Sequence, residues 1–369
     1  MSAPVATRYR SEVIGSLLRP DYLKQAVERH DAGQFSDEQL RQVEDRAVLE
    51  AIQLQEACDI DVIADGEMRR KFWFDPLTAS LAGYNPAVPA PAIFTAGDQP
   101  SRELPLLPAV TDRLGPKQNL PLDESRFLAQ HSKRAYKATL PSLSYASVLY
   151  VPGISDKAYP DRNEYMQDSL RLARQLVEQL VAAGVRYIQL DAPRYTHLVS
   201  EEGLENFRRL GLDTSTWLGE MIDYDNQLIT SFPPEVTFGL HLCRGNHRSM
   251  WSVEGGYDAI AEQLFTDLKV NRLLLEYDTP RAGNFAPLRF VSPDKAVVLG
   301  LITTKEPEIE TDAQLRDRIR EASQYVPLER LALSPQCGFA STLPGNLITP
   351  EVQRAKLEVL GRVAKEVWE

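Results

Sequence analysis

Short apolar segments alternate with amphipathic segments along most of the chain. Eight of the apolar segments have the length of strands and are rich in aliphatic and β-branched residues: 13–16, 62–67, 137–140, 187–191, 237–243, 272–278, 296–303 and 331–337. Several are apolar without alternation, which is typical of parallel strands that are buried on both faces. The pattern therefore predicts eight parallel strands.

Segments with helical spacing lie between these strands. The longest cover residues 37–58, 163–183, 256–268, 311–325 and 350–367. Ser36 is a suitable N-cap for the first, and Gly184 ends the second. Eight strand–helix repeats predict an α/β fold of the (β/α)₈ TIM-barrel type. A doubly wound open sheet is the alternative, but it usually carries a glycine-rich phosphate loop, and the chain contains no GxGxxG or Walker sequence.

Residues 84–135 interrupt this alternation. The segment is rich in proline, as in NPAVPAPAIF and PLLPAV, and it has little periodicity. We predict an irregular insertion after the second strand of a single domain that spans residues 1–369. Loops of this length often form lids or subunit contacts, so the insertion could support a homo-oligomer.

The composition excludes several classes of protein. Of the 369 residues, 43 % are hydrophobic and 25 % are charged, which is ordinary for a globular chain. The formal net charge of −11 argues against general binding to nucleic acid or to anionic membranes, because their phosphates would be repelled. No apolar run is long enough to span a bilayer, and the first residues contain no apolar signal core. We expect a cytoplasmic protein.

Residues with reactive or charged side chains lie where the predicted strands end. They are Ser16, Glu67, Asp191, His241, Cys243, Glu276, Lys305 and Cys337. In a barrel, the C-terminal ends of the strands form the active site. One reactive or charged residue at the end of a strand is compatible with chance. Eight such residues at the same ends of the predicted strands predict a catalytic site there.

The sharpest motif is His241-x-Cys243, because residues two apart on a strand point to the same side. Glu276 ends the next predicted strand, and Cys337 ends the last. Imidazole, thiolate and carboxylate ligands suit a tetrahedral Zn²⁺ site. The alternative is that both cysteines are small buried apolar residues, which is how free cysteine usually behaves. Three cysteines in a cytosolic chain do not indicate a disulfide framework.

The motifs HLCRGNHRS, LLLEYD and LSPQCG, with VIGSLLRP near the N-terminus, resemble those of the catalytic C-terminal barrel of cobalamin-independent methionine synthase. They resemble its single-barrel relatives more closely, and the resemblance runs from residue 13 to residue 339. It implies a TIM-type barrel whose zinc ligands are His241, Cys243, Glu276 and Cys337. It also implies that a small thiol, homocysteine in the family, binds Zn²⁺ as a thiolate and attacks the methyl group of a small donor.

The resemblance also implies a binding site for homocysteine. A short turn binds its carboxylate in the family, and here that turn is Ile14, Gly15 and Ser16. Glu67 and Asp191 would bind its amino group, which agrees with the need to pair a buried cation. Without the resemblance, an ion pair of Glu67 with Arg69 or Arg70 would be the simpler interpretation.

Two positions depart from the family pattern. Ala192 stands where the family has a glutamate, and Lys305 stands where it has a catalytic histidine. A lysine can hold an anion, but it exchanges protons near neutral pH only when its pKa is depressed. The methyl donor and the proton relay are therefore open.

Two alternatives to homocysteine methylation follow. Some single-barrel relatives open epoxides with coenzyme M, so the acceptor could be a different thiol. A non-catalytic, structural zinc site closed by four protein ligands is the other alternative.

Overall fold

The computed structural model describes residues 8–96 and 99–369. Its strands, in chain order, are β1 (Val62–Ile63), β2 (Leu81–Ala96), β3 (Gln99–Pro116), β4 (Ala135–Tyr136), β5 (Ala138–Pro141), β6 (Tyr187–Asp191), β7 (Thr237–Leu242), β8 (Arg272–Glu276), β9 (Ala296–Ile302) and β10 (Leu331–Pro335). Strands β5 to β10 form one parallel sheet in sequential order, and every residue in them is buried. This continuous burial explains the unbroken apolar runs in the sequence.

The helices lie largely between these strands. They are α1 (Asp21–Asp31), α2 (Asp37–Ala57), α3 (Asp75–Thr78), α4 (Leu120–His131), α5 (Leu143–Ala146), α6 (Arg162–Ala182), α7 (Glu201–Arg209), α8 (Trp217–Ile229), α9 (Asp258–Asp267), α10 (Asp312–Ala322) and α11 (Pro350–Trp368). Helix α2 begins with a capping box between Ser36 and Gln39, at the predicted position. Within the described residues, each helix is too short or too polar to cross a membrane.

Of the first two predicted strands, residues 13–16 form no strand, and residues 62–67 form a strand of only two residues. Strand β1 pairs in parallel with β4, while Ser11 and Glu12 form isolated parallel bridges to Leu333 of β10 and Val62 of β1. The larger sheet has β10 at one edge and β5 at the other. The two bridges connect the β10 edge to β1 through residues 11 and 12. The continuous ladder within the described chain therefore holds six strands, and the expectation of eight regular strands is not met.

Side chains explain why these two segments leave the ladder early. The Gln55 amide receives a hydrogen bond from the Ala64 N–H (3.0 Å) and donates one to the Ala64 carbonyl (2.8 Å). The Gln189 amide donates to the Ile14 carbonyl in the same way (2.8 Å). Backbone groups that are satisfied by side chains have no need of a neighbouring strand.

The expectation that residues 84–135 are irregular is wrong. Strands β2 and β3 form a long antiparallel hairpin, and α4 follows with Asn119 as its N-cap. The register shifts at several places, one of them beside the pair of Pro89 and Pro108. A two-stranded ribbon has two free edges, so it tolerates residues without an N–H. A subunit contact through this hairpin stays a prediction.

A buried ionic cluster lies at the N-terminal end of the parallel strands. Glu12 accepts two hydrogen bonds from Arg272 (3.0 and 2.8 Å) and one from the Tyr187 hydroxyl (2.8 Å), and it contacts Lys137. Glu12, Lys137 and Arg272 are each at most 1 % exposed. Glu12 thus lies between two cations, and all three side chains are enclosed by the fold. We therefore look for the functional groups at the opposite end of the strands.

Candidate metal centre

Four residues converge at the C-terminal edge of the sheet: His241, Cys243, Glu276 and Cys337. Their ligand atoms all lie within 4.8 Å of one another, and the two Sγ atoms are 3.4 Å apart. We call this group the metal cluster. Three of its members are buried and Cys243 is partly exposed. The structure thus brings together the four residues that the sequence analysis grouped.

The backbone after β7 orients the cluster. The Arg244 N–H donates to Glu276 Oε1 (2.9 Å), and the Gly245 N–H donates to Cys243 Sγ (3.3 Å). Gly245 has a φ of 92°, and a Cβ there would collide with Ser252. Backbone donors of this kind favour the charged forms of carboxylate and thiol ligands.

The unpaired donors and acceptors of the cluster fit a metal ion. Both ring nitrogens of His241 lack a hydrogen-bond partner among the described residues, although the side chain is only 2 % exposed. A buried polar atom left without a partner costs about 1–3 kcal/mol, so such atoms are rare in proteins. One imidazole, two sulfurs and one carboxylate form a suitable ligand set for Zn²⁺.

The two cysteines differ in acidity. The hydrogen bond from Cys243 and the neighbouring His241 imidazole hold the pKa of Cys337 well below its usual range. The same contact with Cys337, together with burial, raises the pKa of Cys243. The pair therefore carries one negative charge readily, which is the form of sulfur that binds a metal.

Glu67 and Asp191 form a pair of buried carboxyl groups near the cluster. Burial raises the pKa of Glu67 to about 8 and that of Asp191 to about 6, and the charge of Asp191 adds to the effect on Glu67. Asp191 ends β6 opposite His241 of β7, and its Oδ1 accepts a hydrogen bond from Gln189 (2.7 Å). Two buried carboxyl groups with raised pKa values are typical of a site that binds a cation or moves a proton.

The alternative interpretation of Glu67 was an ion pair with Arg69 or Arg70, and the structure contains only a long contact with Arg70. Arg70 Nη1 lies 3.4 Å from Glu67 Oε1, but the Arg70 guanidinium makes a bidentate pair with Glu124 (2.8 and 2.5 Å). Arg69 pairs instead with Asp45 (2.6 Å). Glu67 Oε2 has no partner within the described part of the chain. Glu67 therefore keeps one oxygen for another partner.

The turn at residues 14–16 packs between Glu67 and the loop that follows Cys337. A Cβ at Gly15 would lie 2.5 Å from Glu67 Oε1, so glycine leaves room for the carboxylate. The Ser16 carbonyl accepts from the Phe339 N–H (2.7 Å), and Ser16 Oγ accepts from the Ala340 N–H (3.2 Å). This geometry places Ile14, Gly15 and Ser16 at the same edge as the cluster.

Lys305 follows β9 by three residues and reaches the loop that comes after Cys243. Its Nζ donates to the Gly245 carbonyl (3.0 Å), Asn246 Oδ1 (2.9 Å) and the Met250 carbonyl (3.1 Å). Burial lowers the pKa of Lys305, and Arg281 adds to that effect. All three of its described partners belong to the loop after Cys243.

The sequence analysis assigned no role to Asn246. Its Nδ2 donates to the Gly338 carbonyl (2.6 Å) and to Ser341 Oγ (3.0 Å), so it joins the loop after Cys243 to the loop after Cys337. Its position three residues after a candidate ligand was the only signal in the sequence.

Comparison with known proteins places the chain in a family. The family model described as the catalytic domain of cobalamin-independent synthase matches residues 10–357, and the chain belongs to that family. An uncharacterised protein of Bacillus subtilis, YxjH, is 38 % identical over 98 % of this chain and 95 % of its own.

Two solved structures are similar over almost their whole length. One is a candidate vitamin-B12-independent methionine synthase from Listeria monocytogenes, with 26 % identity, a TM-score of 0.73 and 98 % coverage of both chains. The other is a B12-independent methionine synthase from a Shewanella species in complex with selenomethionine, with 19 % identity, a TM-score of 0.75 and 97 % coverage of both chains. Together they show an α/β fold of the TIM-barrel type.

Proposed function

We propose that this protein is a zinc-dependent thiol S-methyltransferase whose acceptor is homocysteine and whose product is methionine. The observation that carries the proposal is the convergence of one imidazole, two thiols and one carboxyl within 4.8 Å, beside a pair of buried carboxyl groups. Membership of the cobalamin-independent synthase family supports the same reaction.

The metal cluster would hold the zinc ion through His241, Cys243, Glu276 and Cys337. Bound Zn²⁺ would keep an incoming thiol as its thiolate at neutral pH, where a free thiol is mostly protonated. The partly exposed Cys243 marks the side of the cluster that a substrate can approach. A structural site would need no neighbouring pair of carboxyl groups, and this favours the catalytic interpretation.

The remaining residues would bind the amino-acid part of the acceptor. The free Oε2 of Glu67 and the Asp191 carboxyl suit an ammonium group, because a bound cation would offset the burial that raises the pKa values of both groups. The turn of Ile14, Gly15 and Ser16 lies against Glu67 and would receive the carboxylate of the same molecule. Coenzyme M has a sulfonate and no amine, so this pair of carboxyl groups favours homocysteine.

The transfer is a direct displacement at carbon. The acceptor sulfur forms a bond to the methyl carbon while the bond between that carbon and the leaving atom of the donor breaks, and its electron pair stays with the donor. Lys305 would hold the loop that carries Cys243 in place during this step, through its three hydrogen bonds.

We also propose that the whole chain, residues 1–369, is one catalytic barrel. The bridges of Ser11 and Glu12, with the pairing of β1 and β4, support closure of the six-stranded sheet into a ring of eight. Active sites of such barrels lie at the C-terminal ends of the strands, where the cluster is found.

The test is an assay of the zinc-loaded protein with homocysteine or coenzyme M and a panel of methyl and alkyl donors. We expect methionine from homocysteine, loss of product after zinc removal, and loss in Cys243→Ser. Cys58→Ser is the matched control, because Cys58 is a buried cysteine outside the cluster. Alkylation of coenzyme M alone would contradict the acceptor assignment, and full activity without zinc would contradict the metal assignment.

A further inference from the structure

Arg194 lies in the segment that follows β6, and this segment is hydrogen-bonded to the metal cluster. The Ala192 N–H donates to the His241 carbonyl (2.8 Å), and Thr196 Oγ1 donates to the Cys243 carbonyl (2.8 Å). These bonds tie the segment on both sides of Arg194 to two residues of the cluster. The Arg194 side chain is only 9 % exposed.

No carboxylate pairs with this arginine in the described structure. Within residues 8–96 and 99–369, no carboxylate lies within ion-pair distance of its guanidinium, and its Nε has no hydrogen-bond partner. The contacts that it does make are a hydrogen bond from Nη1 to His197 Nε2 (3.1 Å) and a position 5.8 Å from the centre of the Tyr145 ring. A nearly buried cation without a carboxylate partner is costly unless a ligand supplies one.

The groups around Arg194 offer hydrogen-bond donors rather than acceptors. Arginine is always protonated, so Nη1 donates to His197 Nε2 and the proton of the neutral imidazole lies on Nδ1. Burial and the charge of Arg194 lower the pKa of His197, and burial raises the pKa of Tyr145, so both groups keep these forms at neutral pH. His197 Nδ1 and the Tyr145 hydroxyl have no partner in the described structure.

A second buried arginine near the cluster, Arg244, also has no carboxylate at ion-pair distance, and its Nε, Nη1 and Nη2 have no hydrogen-bond partner in the described structure. Arg244 is 0 % exposed and its guanidinium lies 4.4 Å from the centre of the Tyr257 ring, so it is enclosed by the protein. Arg194 is more exposed, and it stands beside Tyr145, whose ring contacts the half-buried Trp73 (4.5 Å). Of these two arginines, Arg194 is therefore the one that is less enclosed by the protein.

We propose that Arg194, with the Tyr145 hydroxyl, binds a negatively charged oxygen group of the alkyl donor. This inference rests on the proposed function, because Glu67, Asp191 and the turn at residues 14–16 are already assigned to the acceptor. It names the substrate class: a small donor that carries a carboxylate, sulfonate or phosphate close to its transferable alkyl group. Arg194 would hold this group and turn the alkyl carbon towards the acceptor sulfur.

The test measures binding of methanesulfonate and of dimethyl sulfone to the zinc-loaded protein by calorimetry. The two probes have nearly the same shape, and only the first is charged. We expect Arg194→Gln to weaken methanesulfonate binding at least about tenfold, Arg194→Lys to keep part of it, and dimethyl sulfone to bind weakly to every variant. Arg171→Gln is the control, because Arg171 is exposed and the substitution removes the same charge.

Zinc content and the unfolding midpoint are measured for each variant, so that a damaged cluster is recognised. In steady-state kinetics, methanesulfonate should compete with the alkyl donor and not with homocysteine. Equal methanesulfonate affinity in the wild type and Arg194→Gln, or competition with homocysteine, would overturn this inference. Intact binding through Arg194 in a protein that transfers no methyl group would contradict the proposed function instead.

Discussion

Replacement of Lys305 by methionine tests whether this residue clamps a loop or relays a proton. The ammonium donates to three oxygens of the loop at residues 245–250, and the substitution leaves these acceptors without a donor. Each buried acceptor that loses its partner costs about 1–3 kcal/mol, and part of this is recovered because an ammonium no longer has to be buried. We expect Lys305→Met to lower the free energy of unfolding by about 2–4 kcal/mol.

The same loop begins at a member of the metal cluster, so the substitution should also weaken zinc binding. Loss of a supporting contact around a metal ligand typically lowers affinity by about 10–100-fold. Lys295→Met is a matched control, because Lys295 is also buried and donates to Phe265 O (2.9 Å), Thr266 O (3.2 Å) and Ser292 Oγ (3.1 Å), but it precedes β9 at the opposite end.

The assays are urea unfolding of the zinc-free protein and competition with a zinc-binding dye. Both lysine variants should lose stability, and only Lys305→Met should lose zinc affinity. Lys305→Met could instead keep its stability and zinc affinity and lose one limb of the pH–rate profile. That result would refute a role of Lys305 in holding the loop and would identify it as a proton-transfer residue.

Three other predictions follow from the site and the core. Cys243→Ser and Cys337→Ser should each reduce zinc content with little change in zinc-free unfolding, and full zinc occupancy in both would contradict the cluster. Glu67→Gln should weaken calorimetric binding of methionine far more than of its des-amino analogue; equal losses would exclude an amine-binding role. Burial raises the pKa of Asp225 to about 7 from 3.8, so folding takes up a proton between these values and stability falls as pH rises through that range. Asp225→Asn should reduce the total loss of unfolding free energy across this pH range by a few kcal/mol in denaturant titrations, and an unchanged pH dependence would show that Asp225 does not titrate there.

Much of the parallel sheet could be predicted from local pattern. Strands β5 to β10 coincide with six of the apolar segments, because strands buried on both faces leave an unbroken apolar run. The two N-terminal strands were predicted wrongly: residues 13–16 form no strand and residues 62–67 form only a short one, because Gln189 and Gln55 satisfy backbone groups of these segments from distant positions. The hairpin of β2 and β3 was missed because its many prolines are typical of irregular segments.

By itself, the sequence determined the candidate ligands of the metal cluster, because a two-residue spacing on a strand and the alternation of strands and helices are local properties of the chain. Which charges are paired was decided only by the tertiary structure. Arg70 pairs with Glu124 and leaves Glu67 partly free, and Lys305 binds the loop at residues 245–250. Arg194 has no carboxylate partner in the described chain. These outcomes depend on burial and on partners far apart in sequence, since a charge is neutralised by whatever the fold brings within a few ångströms of it.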